Sequence, residues 1–92
     1  MVTYRRRKGI DLREVGDEIF LIDPRYGRIH HLNPTGAALW RLLDGPLSLD
    51  EIVETFRDAF PGSTRRAHKK HLKRILDDLE DNELIERPPA DP

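Results

Sequence analysis

The run Leu32-Asn33-Pro34-Thr35-Gly36-Ala37-Ala38-Leu39-Trp40-Arg41-Leu42-Leu43-Asp44-Gly45 constrains this chain more than any other part of it. It must close an extended segment, open a helix at once and stop that helix soon after. Asn33 is a good N-cap, because its side-chain oxygen accepts from an orphan N–H of the first turn. Pro34 then stands at the first helical position, where its missing N–H is no loss. Ala38, Leu39, Leu42 and Leu43 recur at helical spacing, with Trp40 beside them. Gly45 is expected to take the left-handed conformation that ends the helix, and Pro46 prevents its resumption.

Upstream, the pattern is that of strands. Asp11 to Val15 reads as a short strand ended by Gly16-Asp17. Glu18-Ile19-Phe20-Leu21-Ile22 is rich in β-branched and aromatic residues. Asp23-Pro24-Arg25-Tyr26-Gly27 has turn chemistry, and Arg28-Ile29-His30-His31-Leu32 returns as the partner strand. Ile19 and Leu21 share one face, Phe20 and Ile22 the other, so both faces are apolar where a one-sided sheet alternates. The second face therefore needs a cover: Val15 and the N-terminal arm, a second copy of the chain in a homodimer, or a partner.

Downstream, Ser48-Leu49-Asp50-Glu51 is a capping box. The helix it opens runs to about Phe60, with Leu49, Ile52, Val53, Phe56 and Phe60 on one face. Pro61-Gly62 breaks it. Ser63 or Thr64 caps a third helix that continues to about Asp81, with Asn82 as the expected left-handed residue. Leu84-Ile85-Glu86 docks as a short strand. The division expected is a basic arm at 1–10, a domain at 11–86 and a disordered tail at 87–92. The fold class is α+β: a winged helix-turn-helix-like domain with an N-terminal three-stranded antiparallel sheet followed by three helices.

Composition narrows the function. With 92 residues the chain is one domain with a small core. It lacks cysteine, so neither a disulfide nor a thiolate site is available. No apolar run approaches the ~20 residues that span a bilayer. The start Met1-Val2-Thr3-Tyr4-Arg5-Arg6-Arg7-Lys8 lacks the apolar segment of a signal peptide, so the expected location is cytoplasmic. A net charge of −1 argues against a protein that coats nucleic acid by bulk charge.

The third helix has an unusual charge order. Arg65, Arg66, Lys69, Lys70, Lys73 and Arg74 fill its first half; Asp77, Asp78, Glu80, Asp81 and Glu83 fill its end and exit. The helix macrodipole favours the reverse. An acidic partner near the start would explain the order; a solvated face is the other reading. His30-His31 and His68-x-x-His71 invite comparison with a metal site, but no acid or cysteine accompanies them, and no metal or other cofactor is expected. No nucleophile has a base and an orienting group beside it: Ser48, Ser63, Thr35 and Thr64 all sit where helix caps belong. The chain is not expected to be an enzyme.

Leu32-Asn33-Pro34-Thr35 with its short apolar helix and Asp44-Gly45 resembles the PqqD-like proteins, also called RiPP recognition elements. Leu49-Asp50-Glu51-Ile52-Val53 matches their second helix and Phe60-Pro61 its end. Leu72, Ile75, Leu76, Leu79, Leu84 and Ile85 match the frame of their third helix and tail, so the resemblance runs from about Ile19 to Glu86. It implies binding of the leader of a ribosomally made precursor peptide. The leader would add as a strand to the edge Arg28, Ile29, His30, His31, Leu32, beside the third helix. Leu72 and Leu76 are then expected to receive leader side chains, and Lys69 and Lys73 to meet leader acids. Family members often carry an acid just before the position of Leu72; here His71 stands there, which suits a more acidic leader. The implied partner is a radical enzyme using S-adenosylmethionine, or a leader protease in lasso-peptide systems. The rival from another class is a winged helix that binds DNA through the third helix, which the net charge and the acidic second half of that helix disfavour.

Overall fold

The computed structural model describes residues 2–89. Of the tail expected at 87–92, residues 90–92 lie outside the described residues, as does Met1 of the arm. The elements, in order, are β1 (Thr3–Arg6), β2 (Asp11–Val15), β3 (Glu18–Asp23), β4 (Arg28–Leu32), α1 (Pro34–Leu42), β5 (Leu47–Ser48), α2 (Leu49–Ala59), α3 (Arg65–Asp81) and β6 (Ile85–Glu86). Strands β2, β3 and β4 form the expected antiparallel sheet, in chain order, followed by three helices.

The N-terminal residues are more than an arm. β1 pairs antiparallel with β5 on one side and β6 on the other, making a second three-stranded sheet. Thr3-Tyr4-Arg5-Arg6 carries no run of β-branched residues, so nothing local marks it as a strand. Its tertiary partners explain it. Tyr4 is buried in the core. Arg6 donates from Nε to the Trp40 carbonyl at 2.7 Å and from a terminal nitrogen to the Arg41 carbonyl at 3.0 Å. Its guanidinium also lies 5.2 Å from the Trp40 ring. Arg6 thus places positive charge on the last carbonyls of α1, where the helix dipole favours it.

That contact accounts for a departure at the end of α1. Gly45 was expected to be left-handed, yet its φ is not positive. The helix closes on Leu43, two residues before Gly45, and the Leu43 N–H reaches the Leu39 and Trp40 carbonyls at 3.1 and 3.2 Å. With Arg6 on the neighbouring carbonyls, no glycine cap is needed. The other caps follow their residues. Asn33 accepts from Gly36 at 2.7 Å, and Thr64 from Ala67 at 3.1 Å. Ser48 and Glu51 exchange both bonds of the capping box, at 3.2 and 3.0 Å. At the end of α3 the left-handed residue is Glu83 (φ 58), one position after Asn82. Leu84 N–H reaches the Leu79 carbonyl and Glu83 N–H that of Glu80, both at 2.9 Å. This is the Schellman arrangement, in which the residue after the cap turns left-handed. Asn82 is the cap itself and bonds its side chain to the Asp78 carbonyl at 2.9 Å.

The core gathers Leu21, Leu39, Leu43, Ile52, Leu72, Leu76, Leu84 and Ile85. Phe60, expected on the buried face of α2, is 58% exposed. It is the cap residue, with φ −133, so it leaves the helical spacing and stacks on Phe56 at 6.1 Å instead. His68 is half-buried and lies 2.9 Å from the Phe60 carbonyl through Nε2. On the outer face of the β2-β3-β4 sheet Phe20 and Ile22 are half-buried, and β1 is engaged in the other sheet. Val15 and Ile29 are 63% and 68% exposed, and His31 packs edge-on against Phe20 at 5.2 Å.

Candidate functional site

β3 pairs with β4 along one side only, from Asp23↔Arg28 to Ile19↔Leu32, and β4 is an edge strand. Its other side presents backbone N–H and C=O groups with no strand against them among the described residues. The pleat alternates the side chains: His30 and Leu32 lie on the core face with Leu21 and Ile19, while Ile29 and His31 lie on the outer face.

A groove of about 190 Å³ runs between this strand and α3. His30, His31, Leu32, Asn33 and Gly36 form one wall; Ile75, Asp78, Leu79, Asn82 and Leu84 form the other. Leu32, Leu79 and Leu84 are buried and make an apolar floor, and Asp78 and Asn82 are exposed at the rim. His30 Nε2 is buried beside the groove without a hydrogen-bond partner among the described residues. A ligand that brought a polar group to it would relieve the cost of that burial. A second cavity of about 410 Å³ lies farther along α3, lined by Thr35, Phe56, Phe60, Ser63, Ala67, His68, His71 and Leu72. The two histidine pairs of the sequence thus line different hollows, His30-His31 the groove and His68-His71 the cavity.

The sequence-derived site residues divide accordingly. Arg28, Ile29, His30, His31 and Leu32 lie together on the free strand. Leu72 and Leu76 are 1% and 0% exposed, so they support the helix from inside and Leu76 offers no surface to a ligand. Lys69 and Lys73 are not brought to the groove. The residues that line it recur as Ile75, Asp78, Leu79 and Asn82, and Lys73 points to the far side of the helix. There it holds Asp77 at 2.5 Å, and the Tyr4 and Arg87 side chains act on its charge. Hydrogen bonding to Asp77 raises the Lys73 pKa. Helical periodicity located the apolar stripe correctly but not which flank of it faces β4, because that depends on how α3 docks. Ile75, Asp78 and Asn82 are the lining residues this missed.

The turn-side end of the groove is tied down by a charged latch. Asp23, fully buried, accepts from Arg25 Nε at 3.0 Å, from an Arg25 terminal nitrogen at 2.9 Å and from the Arg25 backbone N–H at 3.1 Å. Arg25 also donates to the Glu83 carbonyl at 2.7 Å, joining the hairpin turn to the exit of α3. Asn82 and Leu84, on either side of Glu83, both line the groove. Hydrogen bonding by Arg25 holds the Asp23 carboxyl below its ordinary value of 3.8, against the opposing effect of burial. A depressed folded pKa means that the contribution is complete above the unfolded value and lost as pH falls through the folded one. The melting temperature should therefore drop on acidification below about pH 4, where carboxylates begin to protonate. The Asp23→Asn variant should start lower at neutral pH and show a shallower acid decline. Parallel declines in thermal melts across that range would count against the latch.

The sequence pattern of one family, coenzyme PQQ synthesis protein D (PqqD), matches residues 18–85. Two solved structures share the architecture. TbiB1, in complex with the TbiA(beta) leader peptide, superposes with a TM-score of 0.79 at 24% identity, covering 95% of this chain and 99% of that one. A lasso peptide synthetase B1 complexed with the leader peptide gives 0.74 at 25% identity, covering 90% of this chain and 96% of that one. No curated protein matches the chain. The match at 18–85 takes in the hairpin, all three helices and both walls of the groove, and on that extent the chain belongs to the PqqD family.

Proposed function

We propose that this protein binds the leader of a ribosomally synthesised precursor peptide and presents it to a processing enzyme, without catalysing a reaction itself. The observation that carries the reading is the free edge of β4 beside an apolar-floored groove. An extended peptide gains main-chain hydrogen bonds from such an edge, and alternate side chains enter the groove. Both similar structures are leader-peptide complexes, which supports the same ligand class here. Contacts to the leader come from Arg28–Leu32 and, across the groove, from Ile75, Asp78, Leu79 and Asn82. One of the two similar structures is a lasso peptide synthetase B1 and the family is that of PqqD, so the partner enzyme is a leader protease or a radical enzyme using S-adenosylmethionine. No described helix is long and apolar enough to cross a membrane, and a cytoplasmic location fits the role.

Titration of the isotope-labelled protein with the leader encoded beside its gene tests this reading. Amide resonances of Arg28–Leu32 and of Ile75–Asn82 should shift together. Shifts confined to α2 and the N-terminal strand would reject strand addition at β4.

A further inference from the structure

The charges of α3 run against its own dipole: its first turn has no acid and its last turn no base. Two of its bases have local explanations. Arg65 reaches Asp50 and Glu54, each at 3.1 Å, and Lys73 holds Asp77. Arg66, Lys70 and Arg74 are exposed and form no ion pair among the described residues. They recur every four residues and so lie in one stripe along the helix. The stripe continues through Asp78 and Asp81, also exposed and without an ion pair among the described residues; Arg74 and Asp78 stand one turn apart without pairing there. Arg66, seven residues before Lys73, lies on the same far side of the helix, and Lys70 and Arg74 carry the stripe round toward the groove. Asp78 is part of the groove wall, and Lys70, His71 and Arg74 line a shallow depression farther toward the helix start.

We infer that this stripe reads the charge order of the bound peptide and fixes its direction, selecting acids ahead of the strand-adding segment and bases toward its end. The inference rests on strand addition at β4 and deepens it. β4 and α3 run in opposite directions. Arg25, before β4, meets Glu83 after α3, while Thr35, after β4, shares a cavity with His68 and His71 early in α3. An antiparallel peptide, the better-paired choice at an edge, therefore runs with α3. Its upstream residues pass Lys70 and Arg74, and its later ones pass Asp78 and Asp81. The spacing matches too. Four residues of helix rise about 6 Å, and two residues of strand rise about 6.7 Å. Acids at alternate positions of the extended peptide thus keep step with the stripe. A peptide added in the opposite direction would set its acids against Asp78 and Asp81.

A selection from a displayed library of random peptides tests this without knowledge of the natural ligand. The full chain should enrich peptides with an apolar segment, acids at alternate positions on its N-terminal side, and bases after it. The variant Lys70→Glu/Arg74→Glu should lose the acidic preference and keep the apolar one. So should the neutral Lys70→Gln/Arg74→Gln, which changes only exposed side chains and guards against misfolding by charge reversal. For a peptide enriched by the wild type, the neutral variant should bind roughly tenfold more weakly at low salt, and the difference should shrink as salt rises. Enrichment of apolar segments with no acidic bias, or with a bias unchanged in both variants, would overturn the inference and leave strand addition standing. Failure to enrich any peptide would overturn strand addition and the inference with it. Duplex DNA binding that is tighter than peptide binding and lost in the variants would assign the stripe to nucleic acid instead.

Discussion

Proline at Ile29, and separately at His31, should weaken leader binding by roughly tenfold or more while leaving the protein folded. Proline removes a backbone N–H and places its ring where an added strand would approach. Loss of one hydrogen bond to a bound strand, with its partner group left buried, costs about 1–3 kcal/mol. These two positions suit the test because their side chains face away from the core, Ile29 being 68% exposed. Calorimetric titration of each variant, with circular dichroism as the control for folding, measures the effect. Unchanged affinity in both variants would mean that the peptide does not use the β4 edge. Alanine at the same positions keeps the N–H and should have a much smaller effect, which separates the backbone contribution from that of the side chains.

Leu76→Ala should act in the opposite manner, through stability. Leu76 is fully buried between the helix and the sheets. Truncating a buried leucine costs about 2–5 kcal/mol, from lost transfer energy and the cavity left behind. For a domain of this size the melting temperature should fall by about 10 °C or more. Affinity for the leader, measured at a temperature where the variant is still folded, should change little. Ile75→Ala makes the contrast. Ile75 is half-buried and lines the groove, so its truncation should weaken binding more than it lowers the melting temperature. If Leu76→Ala abolished binding at full thermal stability, Leu76 would be a ligand contact and the assignment of the two flanks of α3 would be wrong.

The residues that were legible without coordinates share one property: their conformation is decided by near neighbours. Asn33 and Pro34 start α1, Ser48 and Glu51 box the start of α2, and Thr64 caps α3, each through a bond to a residue within three positions. The β3–β4 hairpin follows from two β-rich runs around a proline–glycine turn. The edge Arg28–Leu32, half of the candidate site, came with it. What stayed hidden depends on contacts between distant segments. Arg6 meets Trp40, thirty-four residues away, and so both makes β1 part of the fold and removes the need for a left-handed Gly45. Arg25 meets Glu83, fifty-eight residues away, and closes the end of the groove.

The other half of the site shows the same limit. Periodicity alone identifies Leu72, Leu76 and Leu79 as the inward stripe of α3, because amphipathic spacing is a property of a single helix. It does not say which flank of the stripe meets β4, since a helix packed on a sheet has two. Docking of α3 turned Ile75, Asp78 and Asn82 toward the strand and Lys73 toward Tyr4 and Arg87. The sequence by itself therefore determined the β2–β3–β4 sheet, the three helices with their N-caps, and the family to which the chain belongs. Only the tertiary structure decided which residues face the groove, because a helix's rotation about its own axis is set by packing against partners distant in sequence, and no local bond encodes it.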